Sequence, residues 1–329
     1  MVFYRPKLKT IAIFTGLLLI FQFSNPENVA GQEAIRFART PDISPDGRFI
    51  CFSYQGDIWT VPSIGGVATP VTIHESHDIN PCYSPDGQWI AFSSNRYGSY
   101  DVFVVPSQGG KARRLTYDSG QEMVEGWSND GKRIYFYSNR DVTFPKSLQM
   151  YEIEAEGGDE TQLPILNAKH ISFQREGKIV AFSRGPGNWF RKGYRGSSND
   201  DIWLATANGK EVSQFTTFKG NDSYPVWSPD GHYLYYVSDA LTPQTNIVCQ
   251  EFNNALPLPK PVGSPRLITQ HNDISVRQIK LNRTGEWLVY EAGLDIYLVN
   301  TKTGDSRRVL IEVHCDDKVN QVQTKSFSE

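Results

Sequence analysis

The stretch NPCYSPDGQWIAFSSN (Asn80–Asn95) contains the tetrapeptide SPDG, which recurs at Ser44–Gly47 and at Ser228–Gly231. In a tight turn, Pro presets φ near −65° at the second position, Asp is tolerated at the third, and Gly accepts a positive φ at the fourth. Three altered copies keep the glycine. The six turn glycines are spaced by 40, 44, 46, 54 and 54 residues, at Gly47, Gly87, Gly131, Gly177, Gly231 and Gly285.

The same strand pattern surrounds each turn. A strand with alternating large residues, such as FICFSY (Phe49–Tyr54), follows the turn, and a second apolar strand, such as DIWTVP (Asp57–Pro62), comes next. Four strands in a unit of roughly 40–50 residues are typical of a β-propeller blade. A single blade cannot cover its two apolar faces, whereas blades stacked around an axis can.

We therefore predict an all-β fold, a six-bladed β-propeller of four-stranded antiparallel blades, closed without strand exchange because each unit holds four strands. Packing of side chains between blades 1 and 6 is expected to close the ring. The propeller is assigned to residues 32–313. The predicted blades cover approximately residues 34–73, 74–117, 118–165, 166–218, 219–270 and 271–313.

The turn residues are interpreted as structural, because their types match the needs of the turn at each position. The predicted structural turn residues are Asp46, Gly47, Asp86, Gly87, Asp130, Gly131, Gly177, Asp230, Gly231 and Gly285.

Residues 1–31 have the layout of a bacterial-type secretory signal peptide. A basic start precedes the apolar run Ile11–Phe23, whose 13 residues are fewer than the roughly 20 needed to span a bilayer. We predict an exported protein, periplasmic or secreted, with no membrane span after cleavage; an uncleaved anchor is the alternative. Residues 314–329 are predicted to be a linker-like tail.

Charge and cysteine usage exclude several classes of function. The net charge is −3, and residues 1–31 carry three basic residues and one acidic residue, so the mature chain has −5. This balance does not favour nucleic-acid binding. The four cysteines show no C-x-x-C spacing, and a Cys51–Cys82 disulfide and separate buried thiols both remain open, with thiols expected. His74 and His77 match no metal motif, so no metal or cofactor is predicted.

The unusual part of the fourth unit is RGPGNWFRKGYRGSSNDDIWL (Arg184–Leu204), a long loop rich in basic and aromatic residues. Long loops in compact domains are often functional, and arginine and aromatic side chains commonly anchor interfaces. A loop folded over the ring for structural reasons is the alternative. The candidate peptide- or partner-binding residues are Trp189, Phe190, Arg191, Lys192, Tyr194 and Arg195.

This loop gives the sequence a specific resemblance. GYRG (Gly193–Gly196), preceded by Trp189 and Lys192 and followed by DIWL, resembles the fourth blade of the N-terminal six-bladed propeller of tricorn proteases. The tail KVNQVQTKSFSE is similar to the linker to a second propeller in that family. The resemblance implies a non-catalytic module of a serine peptidase that guides or docks peptides, contacts the protease core and shares its homo-oligomeric assembly. No catalytic residue of the family has a counterpart in this chain.

One segment departs from the family. Where family members carry an Arg–Arg pair that holds a substrate carboxylate, this chain has YDSGQEMVEG (Tyr117–Gly126), which contains Asp118, Glu122 and Glu125. That particular docking role is therefore not expected here.

Two other functions stay open. A stand-alone exported propeller resembling TolB would act as a protein-binding scaffold in the cell envelope. A hydrolase or lyase using the central funnel would need converging histidines and carboxylates, and the sequence suggests no such cluster at inner-strand positions.

Overall fold

The computed structural model describes Met1 and residues 34–140, 148–187 and 191–314. These residues form twenty-five β-strands in six sheets and no helix, and each sheet holds four sequence-consecutive antiparallel strands. The first strands of successive sheets contact one another, and the first strand of the last sheet contacts that of the first. The sheets therefore close a ring, and the predicted six-bladed propeller is confirmed. Among the residues described, no helical segment is long and apolar enough to cross a bilayer.

The first three blades occupy the amino-terminal half of the described chain. Blade 1 consists of β1 (Arg39–Ile43), β2 (Phe49–Tyr54), β3 (Asp57–Pro62) and β4 (Gly66–Pro70). Blade 2 consists of β5 (Asp78–Tyr83), β6 (Trp89–Tyr97), β7 (Ser99–Pro106) and β8 (Arg113–Arg114). Blade 3 consists of β9 (Glu122–Trp127), β10 (Arg133–Ser138), β11 (Gln149–Glu154) and β12 (Thr161–Leu166).

The remaining blades repeat the arrangement, and one short strand follows them. Blade 4 consists of β13 (Lys169–Phe173), β14 (Ile179–Arg184), β15 (Asp201–Thr206) and β16 (Val212–Gln214). Blade 5 consists of β17 (Asp222–Trp227), β18 (Tyr233–Ser238), β19 (Asn246–Phe252) and β20 (Pro261–Leu267). Blade 6 consists of β21 (Val276–Leu281), β22 (Trp287–Ala292), β23 (Asp295–Asn300) and β24 (Ser306–Arg308), and β25 (Ile311–Val313) ends the fold.

The serine and aspartate of each SPDG turn bond to one another. In blade 1 the Ser44 hydroxyl donates to Asp46 Oδ1 (2.7 Å) and accepts from the Phe49 N–H (2.9 Å), while Asp46 Oδ1 accepts from the Arg48 N–H (3.0 Å). The same three bonds recur in blades 2, 3 and 5. The serine hydrogen bond, with the Arg48 contacts, lowers the pKa of Asp46 to about 2 despite some burial. These aspartates are thus hydrogen-bond acceptors inside their own turns.

The turn glycines also bring neighbouring blades together. Gly87 and Gly285 have φ of +73° and +76°. A Cβ on Gly87 would lie 3.4 Å from Pro45 of blade 1, and one on Gly285 would lie 2.9 Å from Pro229 of blade 5. These two turns therefore nest against the proline of the preceding turn, which a larger residue would obstruct.

The hydrophobic core lies between adjacent sheets, and the second strands supply its largest members. Phe52, Phe92, Phe136 and Phe182 are fully buried at equivalent positions. Burying one such side chain contributes about 1.5–3 kcal/mol. Free, buried thiols complete this core at Cys51, Cys82 and Cys249.

Ring closure involves more than the predicted side-chain packing. Each blade keeps its own four strands, so no strand is exchanged, but β25 adds a fifth strand to blade 1 by pairing in parallel with β4. The Ile35 N–H donates to the Ile311 carbonyl (2.8 Å), which brings the amino-terminal segment against the same strand. The sequence analysis missed this strand because its three residues carry no turn signature.

Candidate functional site: the axial channel and the blade 4 loop

The inner strands around the propeller axis are irregular. All six first strands carry a β-bulge or register shift. In five of them a non-glycine residue has a positive φ between 47° and 55°, at Thr40, Asn80, His170, Tyr224 and Gln278. A bulge bends its strand and redirects side chains, and strained backbone of this kind clusters at functional sites. All five residues line a cavity on the axis, which makes the channel the first candidate site.

Three cavities that share lining residues make up the axial channel. The turn-face cavity, about 390 Å³, opens between the SPDG turns and includes Pro45, Pro85 and Pro229 in its wall. The middle cavity, about 290 Å³, is lined by the bulges. The loop-face cavity, about 350 Å³, opens at the opposite side beside the blade 4 loop. The level at which the first two meet is called the waist, and both are lined there by Cys82, Glu125, Ile171, Val226 and Lys280.

Charged side chains converge at the waist. The His170 Nδ1 lies 3.4 Å from Glu125 Oε1, and the His170 ring stacks at 4.0 Å on Tyr224. Burial works to raise the pKa of Glu125, but the charge of His170 and its hydrogen bonds outweigh it, so the net shift is downward. The Lys280 ammonium donates to the Glu125 carbonyl (2.5 Å). The expectation of no histidine and carboxylate cluster on the inner strands was wrong.

A sequence signal for this cluster did exist. Asp42, Cys82 and Lys280 each lie five residues before a turn glycine, Glu125 lies six before, and His170 lies seven before. These positions are on the inner strands, where they face the axis. The apolar residues before each turn predict the strands, whereas these polar residues mark the axis.

The two nucleophilic side chains of the waist, Cys82 and Lys280, are held in their protonated forms. Burial raises the pKa of the Cys82 thiol to about 12, so a thiolate nucleophile is disfavoured at neutral pH. Burial alone would lower the pKa of Lys280, but the neighbouring Cys82, Asp42 and Glu125 raise it, so the amine stays protonated. Among the residues described, no group of three or more His, Cys, Asp or Glu side chains is placed to hold a metal ion.

The blade 4 loop contributes to the opposite mouth. Arg191 and Lys192 are exposed and line the loop-face cavity, and the Arg191 guanidinium lies 3.9 Å from the centre of the Tyr194 ring. The Tyr194 hydroxyl accepts from the Ser198 N–H (3.2 Å). Trp189 and Phe190, the other two aromatic candidates, lie outside the described residues.

Arg195 ties the loop to blade 5. Its guanidinium pairs with Asp239 Oδ2 (2.6 Å), donates to the Asp239 carbonyl (3.3 Å) and stacks on Phe218 at 4.8 Å. Asp239 is buried, so its carboxylate depends on this partner. Arg195 therefore positions the loop, while Arg191 and Lys192 point their charges toward the cavity mouth.

The carboxylates of the acidic segment Tyr117–Gly126 are paired with side chains of the same propeller. Arg140 pairs with Glu122 and lies 3.9 Å from Asp118, and Glu125 faces His170. These carboxylates therefore form part of blade 3 and its border with blade 4, and they do not form a free acidic surface.

The fold has relatives among known proteins. The family described as the tricorn protease N-terminal β-propeller domain matches residues 35–305. The crystal structure of the tricorn protease superposes with a TM-score of 0.71 at 22% identity, covering 86% of this chain and 27% of that one. A putative TolB from Agrobacterium tumefaciens superposes with a TM-score of 0.51 at 20% identity, covering 84% of this chain and 80% of that one.

A curated relative matches over a shorter stretch. An uncharacterized protein of Agrobacterium fabrum is 43% identical over 61 residues, which cover 17% of this chain and 20% of that protein. The chain thus spans only about a quarter of the tricorn protease, and a fifth of this relative is matched.

Proposed function

This chain belongs to the family of tricorn protease N-terminal β-propeller domains, and we propose that it is a non-catalytic propeller module that docks or guides peptides and contacts a protease core. The observation that carries the proposal is the axial channel, which has basic side chains at its mouth on each face and a charged waist whose thiol and amine are protonated. Such a channel suits an extended chain, whose backbone groups can bond to polar walls.

The proposal predicts that the chain binds peptides and does not cleave them. The full chain would be titrated with fluorescein-labelled extended octapeptides, with anisotropy for binding and mass spectrometry for cleavage. We expect saturable binding and intact peptides. Peptide hydrolysis that a serine-directed inhibitor abolishes would overturn the non-catalytic assignment, and absence of binding to any peptide would overturn peptide docking.

Contact with a protease core is proposed to involve Arg191 and Lys192, because both are exposed, basic and placed at the loop-face mouth. Cells producing the tagged chain would be labelled with a fluorophosphonate probe for serine peptidases, and the chain would then be captured. We expect a labelled peptidase in the wild-type capture and less of it with Arg191→Glu/Lys192→Glu. Equal capture with both chains would contradict the assignment of this surface.

A second candidate is a stand-alone exported scaffold similar to TolB. The observation in its favour is the fold, since the chain superposes on the putative TolB from Agrobacterium tumefaciens with a TM-score of 0.51. Export through residues 1–31 is part of both proposals. Cell fractionation with amino-terminal sequencing tests it, and a cytoplasmic chain retaining Met1 would contradict it.

A further inference from the structure

Lys280 crosses the propeller axis. Its strand, β21, belongs to blade 6, and its hydrogen-bond partner, the Glu125 carbonyl, belongs to blade 3. In a closed ring of six blades, these two blades stand on opposite sides of the channel. The Lys280 side chain therefore bars the channel at the waist.

A second cation of blade 6 crosses at the rim. The Arg283 guanidinium donates to the Pro85 carbonyl of blade 2 (3.3 Å) and so passes over blade 1, which lies between them. Both cations line the turn-face cavity, one at its mouth and one at its floor. Arg175, from the turn of blade 4, is exposed at the same mouth and adds a third positive charge.

The partners of these crossing cations are neutral. Lys280 bonds to the Glu125 carbonyl and to the Cys82 thiol, and the partner of Arg283 is a carbonyl oxygen. Within the described part of the chain, no carboxylate forms a salt bridge with Lys280. The two acidic side chains of the cavity raise the pKa of Lys280 by their charge but form no hydrogen bond with it: Asp42 accepts from the Tyr83 N–H (2.8 Å), and Glu125 faces His170.

We propose that the turn-face cavity receives an extended acidic polypeptide segment, whose carboxylates replace the backbone carbonyls as partners of Arg283 and Lys280. This inference rests on the proposed peptide docking and names the class of segment. The bonds from Lys280 and Arg283 to the carbonyls already have a charged donor. A carboxylate acceptor adds the attraction between opposite charges, which is stronger at a buried site than in water, so the exchange favours a carboxylate. A neutral segment that displaced the carbonyls would leave a buried ammonium without an equal partner, which is costly.

Matched peptides test the charge preference. The full chain would be titrated with fluorescein-labelled (Gly-Glu)₄, (Gly-Gln)₄ and (Gly-Lys)₄, which share length and backbone. We expect the acidic peptide to bind at least about tenfold more tightly than the amide peptide, and the difference to shrink at high salt, which screens charge.

Variants connect the preference to the two cations. Lys280→Met and Arg283→Gln should each reduce the preference for the acidic peptide, and Lys280→Arg should keep it. Arg48→Gln is the matched control, because Arg48 is exposed on the same face but pairs with Asp46 in its own turn. Arg283 is exposed, so Arg283→Gln should fold and still test the charge preference if a Lys280 variant fails to fold.

Alkylation of Cys82 tests the bar without any peptide. Cys82 lines both cavities at the waist but is only 4% exposed, and Lys280 is hydrogen-bonded to it. Because Lys280 also lowers the pKa of Cys82, each variant is treated with N-ethylmaleimide and with a larger maleimide, and the ratio of the two rates cancels the thiolate fraction. Mass spectrometry of the Cys82 peptide should show the rate for the larger reagent, relative to the smaller one, rising severalfold in Lys280→Ala over the wild type. The buried Cys51 in the same samples reports general unfolding.

The outcomes separate this inference from the proposed function. Equal affinity for acidic and amide peptides, or a preference untouched by both cation variants, overturns the acidic-segment site while peptide docking stands. No binding of any peptide overturns both peptide docking and the acidic-segment site. An unchanged ratio of the two modification rates in Lys280→Ala overturns the bar at the waist.

Discussion

The Thr40 N–H donates to Glu291 Oε1 at 2.5 Å, and this bond joins the first inner strand to the last blade. At two other blade borders a serine hydroxyl accepts the equivalent bond from the inner strand of the next blade: Ser93 accepts from the Val124 N–H (2.8 Å), and Ser183 accepts from the Tyr224 N–H (3.1 Å). At this position of the second strand, a serine hydroxyl is the acceptor at two borders within the ring, and a carboxylate is the acceptor where the ring closes.

Glu291 should therefore be a major determinant of stability. It is buried, and it also pairs with Arg277 (2.6 Å) and Arg39 (3.3 Å). Removing one member of a buried charged network costs about 3–5 kcal/mol, because the remaining charges lose their partner. We expect Glu291→Ala to lower the free energy of unfolding by about that amount in urea denaturation. Glu286→Gln, an exposed change on the same blade, should leave it nearly unaltered, and similar values for both would refute the role of Glu291.

The added strand β25 should make a second contribution to closure. Ile311 is 3% exposed and packs with residues of blades 1 and 6, whereas its neighbour Leu310 is 56% exposed. Truncating a buried Ile to Ala costs about 2–5 kcal/mol. Ile311→Ala should lower the midpoint of thermal unfolding and accelerate proteolysis of the carboxy-terminal strand. Leu310→Ala is the control, and a comparable loss there would indicate that the strand pairing, rather than the buried side chain, matters.

The sequence was sufficient to predict the blades because their turns repeat at fixed positions. Ser44, Pro45 and Gly47 form a local motif whose preferred geometry is independent of the rest of the chain. The strand β25 could not be found in this way, since its pairing with β4 joins Ile311 to Gly66 across the whole chain. No local pattern encodes a contact of that separation.

The channel was predicted less well, for a related reason. His170 and Glu125 come from different blades, and their 3.4 Å approach depends on bulges that rotate the inner strands. The residue types were visible, but the bulges that bring them together were not. In the blade 4 loop, Arg195 resembled a binding residue in the sequence, and the structure pairs it with Asp239.

The Arg195–Asp239 pair should hold the loop against blade 5. Asp239 Oδ1 also accepts from the Asn221 N–H (3.1 Å), so the carboxylate joins two segments. We expect Arg195→Gln to increase amide hydrogen exchange across residues 191–200 and to lower stability, since it leaves a buried carboxylate unpaired. Arg191→Gln, which removes a solvent-exposed cation, should change exchange much less. Equal amide hydrogen exchange of the loop in the two variants would argue against a role of the Arg195–Asp239 pair in holding the loop.

Asp222 lacks the arginine that serves its counterparts in other blades. Arg96 pairs with Asp78 in blade 2 (2.7 Å), and Arg140 pairs with Glu122 in blade 3. In each blade the acidic residue is paired with a serine of the second strand, and the arginine lies two residues after that serine. In blade 5 the residue two positions after the serine is Ala240. Asp222 Oδ1 is buried without a hydrogen-bond partner.

Because Asp222 has no arginine partner, stability should fall as pH rises, the opposite of the usual behaviour of an aspartate. Burial raises the pKa of Asp222 from 3.8 to about 7, against hydrogen bonds from Ser238 and Thr216 that lower it. The unfolded chain loses this proton near pH 4 and the folded chain near pH 7, so between these values the folded state binds more protons. Stability from this group is therefore greatest at low pH, falls as pH rises from about 4 to about 7, and is constant above that.

Two variants isolate the effect in urea denaturation at pH 5 and pH 8. Asp222→Asn removes the titrating group. Between pH 5 and pH 8 this variant should therefore lose less unfolding free energy than the wild type, by a few kcal/mol. Ala240→Arg should supply the missing guanidinium, lower the pKa of Asp222 and raise stability at pH 8 more than at pH 5. Asp273→Asn, at an exposed carboxyl, should behave as the wild type. If Ala240→Arg stabilises the protein equally at both pH values, Asp222 is not the group that titrates.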